Sequence, residues 1–154
     1  MKKQLNKSEI QNLKEKIKEK YGIELFSKKD KIEITEKNNI KIILKEGKPI
    51  FFYHKEEIVP TIKLLQENNF LKTITIDMGA VRFVANGADV MRPGITRIKE
   101  GIEKGENVAV TDEKYNKIIA VCKTLYSGEE IKKMDKGKVL ENLHYVGDKI
   151  WESI

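Results

Sequence analysis

Three arginines, Arg82, Arg92 and Arg97, fall within sixteen positions of a 154-residue chain whose other 27 basic residues are all lysine. They lie on the glycine-rich stretch GAVRFVANGADVMRPGITR, residues 79–97. The planar guanidinium of arginine grips phosphate with two N–H groups and stacks on bases, whereas lysine offers a point charge. RNA ends are read by stacking and base-edge contacts, and RNA duplexes by backbone and 2′-hydroxyl contacts. The cluster therefore points to a local RNA site. The break at Arg92, Pro93 and Gly94 lets the chain turn and present Arg92 from a strand end. One alternative is open: the arginines form surface ion pairs with Asp89 or Glu100, each adding ~0–1 kcal/mol.

Neighbouring residues extend the site. Asp77 precedes Gly79 and suits a helix cap, and helix-start amides attract phosphate. Gly79 and Ala80 lack bulk, so a nucleic-acid backbone could approach; equally, they could only pack a helix on a strand. Val90 and Met91 alternate, one facing the core and the other RNA or solvent. Phe83 is expected in the core. His144 and Tyr145 precede a glycine turn, where one could stack on a base or both could be structural.

No chemistry beyond binding is legible. There is no nucleophile elbow, P-loop, dinucleotide fingerprint or pair of catalytic acids. Asp77 has no partner acid, base or metal at a recognisable spacing. Cys122 sits in the apolar run KIIAVCK and reads as a core filler. His54 and His144 are far apart and lack a cysteine cluster, so no metal is expected. The expectation is a non-enzymatic chain with no catalytic residue, cofactor or small-molecule substrate.

The net charge is +6 and the pI about 9.2, which favours an anionic partner. The excess is uneven: residues 1–71 hold 16 basic and 11 acidic side chains, residues 72–154 hold 14 and 13. RNA binding by the second half must therefore be local. The lysine run KEKIKEK reads as a solvated helix face that could add sequence-blind attraction. No apolar segment approaches the ~20 residues of a membrane helix, and no signal core follows MKKQLNKSEI. A cytoplasmic protein with no membrane contact is expected.

The elements that must hold this site divide near Leu71. An opening helix is capped by Ser8 with Gln11, striped by Ile10, Leu13 and Ile17, and ended by Gly22. Three strands follow, KIEIT, IKIILK and IFFYH, then a helix with Pro60 in its first turn and Ile58, Ile62 and Leu65 inward. After Lys72 glycines become frequent and the elements shorten. TITI, ADVM, NVAVTD and KIIAVCKTLY read as strands, and GAVRFVANG as a short helix. PGIT turns, SGEEIKKMDKG is a turn capped by Ser127 and Glu130, and VLENLHYVGDKIW supplies one or two last strands. Short strands with turns every 8–12 residues suggest a small barrel. Trp151 is expected to close the barrel or the seam between the halves. The apolar strands at Ile40–Leu44 and IFFYH also suggest a surface for a protein partner.

The stretches DMGAVRFVANGADVMRPGI, GENVAV and LENLHYVGDKIW resemble the PUA domain, an RNA-binding module. With PTIKLLQ upstream, the pattern is similar to the malignant-T-cell-amplified-sequence proteins and their archaeal relatives. It covers residues 50–154 well, and residues 1–49 in layout. The resemblance implies an α+β fold: an N-terminal pre-PUA domain of one helix and a small sheet over residues 1–71, then a PUA pseudo-barrel over 72–154. It implies a translation-associated factor that binds a tRNA acceptor end or small-subunit rRNA in initiation, reinitiation or recycling, beside an initiation-factor-like protein. An accessory, RNA-targeting role in a modification or assembly complex is the alternative. The implied RNA surface comprises Gly79, Ala80, Arg82, Asn86, Gly87, Ala88, Met91, Arg92, Pro93, Gly94, Arg97, His144 and Tyr145. Glu106 stands where PUA domains usually carry aspartate and reads as a structural variation.

Overall fold

The computed structural model describes residues 2–153. Apolar periodicity builds two sheets. The first runs β1 (Lys2–Gln4), β2 (Ile32–Lys37), β3 (Ile40–Lys45), β4 (Lys48–His54) and β5 (Glu57–Pro60), in that order and antiparallel throughout. Helix α1 (Lys7–Tyr21) lays Ile10, Leu13 and Ile17 on one face of it. Its cap is Asn6 with Glu9, not Ser8 with Gln11. Both pairs have the box spacing, but Ser8 lies inside the helix, and the Asn6 side chain reaches the Glu9 amide at 2.8 Å. Gly22 ends the helix in the left-handed conformation.

Two strands of this first sheet were not foreseen. β1 is three exposed residues, too short for a period. β5 follows a two-residue turn at Lys55 and Glu56, both with positive φ, where no glycine or asparagine signals the hairpin. Ile58 and Pro60 consequently lie in β5, and α2 (Ile62–Glu67) is capped by Thr61.

The second sheet has the order β7-β11-β10-β9-β6-β8. Its strands are β6 (Thr73–Ile76), β7 (Val90–Met91), β8 (Ile95–Ile98), β9 (Asn107–Asp112), β10 (Ile118–Thr124) and β11 (Lys138–Tyr145), with helices α3 (Met78–Val84) and α4 (Gly128–Lys133) between them. The edge strands β7 and β8 are joined by a single 3-10 turn, Arg92–Gly94. Four residue steps span at most about 14 Å, whereas the edges of a flat six-stranded sheet would lie roughly 24 Å apart. The sheet must therefore curl into a pseudo-barrel. Sequence reading treated PGIT as a turn alone; its last residues begin β8. VLENLHYVGDKIW forms one strand and then turns. The interior holds Ile74, Ile76, Val84, Val108, Val110, Cys122 and Leu140.

A third apolar cluster joins the sheets: Ile42, Phe52, Val59 and Leu65 from the first half meet Ala109, Val121 and Ile150 from the second, with Trp151 against them. Polar links cross the same seam. Tyr21, fixed within the first half by donating to the Ile58 carbonyl at 2.5 Å, accepts across the seam from Asn107 at 3.1 Å. Lys123 pairs with Glu57. Lys63 donates to the Trp151 carbonyl at 2.9 Å and sits over its ring. The strands offered as a partner surface are spent on both faces, with Ile42, Leu44 and Phe52 buried in this seam and Ile43, Ile50 and Phe51 buried under α1. No helix among the described residues is long and apolar enough to cross a membrane.

Candidate nucleic-acid interface

Helix α3 lies over the barrel, with Val84 buried and Ala80 and Val81 packed on the core. Its start is tied down twice. The Asp77 amide donates to the Gly94 carbonyl at 2.8 Å, and the Asp77 carboxylate accepts from the Ala80 amide at 2.8 Å. Gly94 is required here, because a Cβ would lie 2.8 Å from that of Ala80. Gly87 has φ +99 and faces the Tyr145 ring, where a Cβ would come within 2.9 Å. Asn142 donates to the carbonyls of Val84 and Ala88, both at 3.0 Å, and its amide donates to Asp89 at 2.8 Å. Sequence reading missed Asn142, which stitches the loop after α3 to β11; no spacing signal marks it. The Asn86 side chain donates to the Arg82 carbonyl at 2.7 Å.

Two of the amides at the helix start are already bonded to carboxylates. Its Met78 amide donates to Glu113 at 3.2 Å and its Ala80 amide to Asp77. Two carboxylates therefore stand where an anion would bind, and like charges repel.

The arginines differ in setting. Arg82 is exposed, 5.1 Å from the Phe83 ring. Arg97 is exposed, and its side chain has no hydrogen-bond or ion-pair partner among the described residues. Arg92 is half-buried, its Nε donating to the Ile131 carbonyl at 2.7 Å and its Nη1 to that of Ile95 at 3.3 Å. The suggested partners are taken by lysines: Asp89 by Lys138 at 3.4 Å, and Glu100 by Lys132 at 3.0 Å. Every ion pair among the described residues uses a lysine or His144, never an arginine.

Two expectations need correction. Phe83 is 57% exposed rather than core, because the apolar side of so short a helix is already filled by Ala80, Val81 and Val84. His144 is 1% exposed. It lies edge-on to Phe52 at 5.3 Å and 2.8 Å from Asp148, so it belongs to the seam and cannot present its ring to RNA. Burial alone would raise the pKa of Asp148, but His144 and the amides of Trp151 and Tyr145 hold it below its usual value. Tyr145 is half-buried against Gly87. Val90 is buried and Met91 exposed, as alternation requires. Gly79, Asn86, Ala88 and Pro93 are solvent-facing.

The large exposed apolar side chains among the described residues are Met78, Phe83, Met91, Tyr115 and Val146, all in the second half. Burial pushes the Cys122 thiol up, away from reactivity. Among the described residues no three His, Cys, Asp or Glu side chains converge to hold a metal. Glu106 accepts from the Glu103 amide at 3.0 Å and pairs with Lys72, consistent with a structural variation.

Comparison with known proteins places this geometry. Residues 72–146 match the PUA domain and residues 2–68 the domain of unknown function DUF1947. An uncharacterized protein of Methanocaldococcus jannaschii is 44% identical, over 83% of this chain and 80% of its own. Translation machinery-associated protein 20 of Saccharomyces cerevisiae is 32% identical, over 83% of this chain and 75% of its own. Human malignant T-cell-amplified sequence 2 is 33% identical, over 96% and 88%. A hypothetical protein of Pyrococcus horikoshii, solved by crystallography, superposes with a TM-score of 0.85 at 33% identity over 99% of both chains. With a helix-bearing small sheet followed by a PUA pseudo-barrel, and relatives matched over most of their length, this chain belongs to the malignant-T-cell-amplified-sequence family of PUA-domain proteins.

Proposed function

We propose that the chain is a non-enzymatic, cytoplasmic RNA-binding factor of translation that holds a tRNA acceptor end, small-subunit rRNA, or both. It needs no cofactor, metal or small-molecule substrate, and it divides into a pre-PUA domain, 1–71, and an RNA-binding domain, 72–154. One observation carries this reading: Arg82 and Arg97 are exposed without carboxylate partners among the described residues, in a protein whose lysines repeatedly have them. An unpaired guanidinium retains its full capacity for phosphate and base edges. The interface comprises Gly79, Ala80, Arg82, Asn86, Gly87, Ala88, Met91, Arg92, Pro93, Gly94, Arg97 and Tyr145. The PUA match supports RNA binding, and the name of the yeast relative supports the link to translation. Within translation the step is initiation, reinitiation or ribosome recycling.

Crosslinking in the native cells, followed by sequencing of the bound RNA, tests this. Reads concentrated on tRNA 3′ ends or small-subunit rRNA are expected, and diffuse reads would overturn it. Arg82→Ala with Arg97→Ala is the variant for filter binding, because Arg92 also braces α4 and the β7–β8 turn.

A second reading has its own support. The exposed Phe83 and Met91 offer an apolar surface to a protein, such as an initiation-factor-like partner or an RNA-modification or ribosome-assembly complex. Recovery of one stoichiometric protein after RNase treatment favours it; recovery that vanishes with RNase removes it.

A further inference from the structure

Arg92, Arg97 and Lys132 line a notch of about 210 Å³ between β8 and α4, together with Ile95, Thr96 and Ile98. Lys132 does not belong to the arginine-rich stretch; the fold brings it there from α4. At ~30 Å³ per water the notch holds roughly seven waters, below the ~300–1,000 Å³ of pockets for organic ligands. It suits an ion-sized group.

The cations are prepared in different ways. Arg92 is fixed by two carbonyls, so its guanidinium needs no ordering on binding, and Nη2 keeps its donors. The Arg97 side chain has no partner among the described residues. Lys132 is shared by Glu100 at 3.0 Å and Glu129 at 3.3 Å. Those carboxylates are 83% and 71% exposed. Such pairs are worth ~0–1 kcal/mol and yield to a better anion. At the start of α3 on the same face, two amides are already bonded to Asp77 and Glu113.

The geometry points to this notch as the seat of one backbone phosphate of the bound RNA, extending the RNA path from α3 across β8 to α4. This rests on the RNA-binding reading above. The strand is anchored by its phosphate at Arg92, Arg97 and Lys132, and α3 meets the nucleotides beside it.

The test uses the full chain and fluorescein-labelled unfractionated tRNA, with anisotropy titrations across a range of salt. Arg97→Gln with Lys132→Gln removes two notch cations without touching the internal bonds of Arg92. It is expected to weaken binding about tenfold and lower the salt slope by about 1. Glu100→Gln removes the nearer of the two carboxylates that hold Lys132, leaving only Glu129, and is expected to tighten binding about twofold, whereas a purely structural role for Glu100 would give no gain. If the double variant keeps wild-type affinity and slope while Arg82→Gln weakens binding, the notch is overturned and the RNA reading stands. If the wild-type protein binds neither this tRNA nor purified small-subunit rRNA, both fall. Side-chain Nε–H spectra with sodium phosphate alone distinguish a free anion. Signals of Arg92 and Arg97 that respond to phosphate but not to tRNA overturn the proposal; signals that respond to tRNA at far lower concentration support it.

Discussion

The two halves of this molecule wear their chemistry in opposite ways. The first half carries most of the cationic excess, +5 against +1, yet among the described residues it exposes no large apolar side chain and has no arginine. The second half is nearly neutral but holds every arginine and all five large exposed apolar residues. Net charge and recognition are thus separable. A lysine-rich surface raises the local concentration of any polyanion, in a salt-dependent and sequence-blind way. Recognition needs fixed, desolvated or unpaired groups in a defined arrangement, and those gather around α3, β7, β8 and α4.

This contrast can be broken by experiment, beginning with the largest effect. Gly47 and Gly87 both have positive φ, but a Cβ at Gly47 meets nothing within 4 Å while one at Gly87 meets the Tyr145 ring. Gly47→Ala should cost ~1 kcal/mol from backbone strain alone, and Gly87→Ala about 2–3 kcal/mol. At roughly 2–4 °C per kcal/mol for a chain of this size, thermal unfolding should separate them clearly. Equal losses would show that the Tyr145 contact is soft.

Next comes a charge-matched comparison. Arg82→Ala with Arg97→Ala should weaken tRNA binding about tenfold at near-physiological salt, and Lys7→Ala with Lys16→Ala less than about twofold. Equal losses would make the whole interaction bulk electrostatics.

The seam that unites the halves gives a smaller, pH-dependent effect. The Asp148 pKa lies below its ordinary value of 3.8 in the folded protein. Its contribution is therefore complete above that value and is lost as pH falls through the depressed one. Tm should drop on acidification below about pH 4, less steeply in Asp148→Asn. An unchanged slope would assign the acid sensitivity to other carboxylates. The smallest effect is on stability at Phe83: Phe83→Ser should leave the unfolding free energy within about 0.5 kcal/mol of wild type, as for an exposed position. A larger fall would mean that its ring is held by packing.

Much of the fold was legible because its signals are local. The stripe Ile10, Leu13 and Ile17, the alternation at Val90 and Met91, and the capping box of Ser127 and Glu130 depend only on neighbours within one turn or one pleat. The misses have non-local causes. The β4–β5 hairpin hides behind Lys55 and Glu56, which take a glycine-like conformation because pairing on both sides holds it. Of the candidate surface, the arginines were visible as an anomaly of composition. The burial of His144 was not, since it depends on Phe52, ninety-two positions away.

What the sequence by itself determined is most of the elements, the division of charge between the halves, and the concentration of arginine on one glycine-rich segment. All are written in residue type and spacing. Only the tertiary structure decided which of those residues are free to bind. It bonded Glu113 to the α3 start, withdrew His144 into the seam, turned Phe83 outward, and set Lys132 beside Arg92 and Arg97. The physical reason is that availability depends on partners, and a side chain's partners come from strands and helices far along the chain.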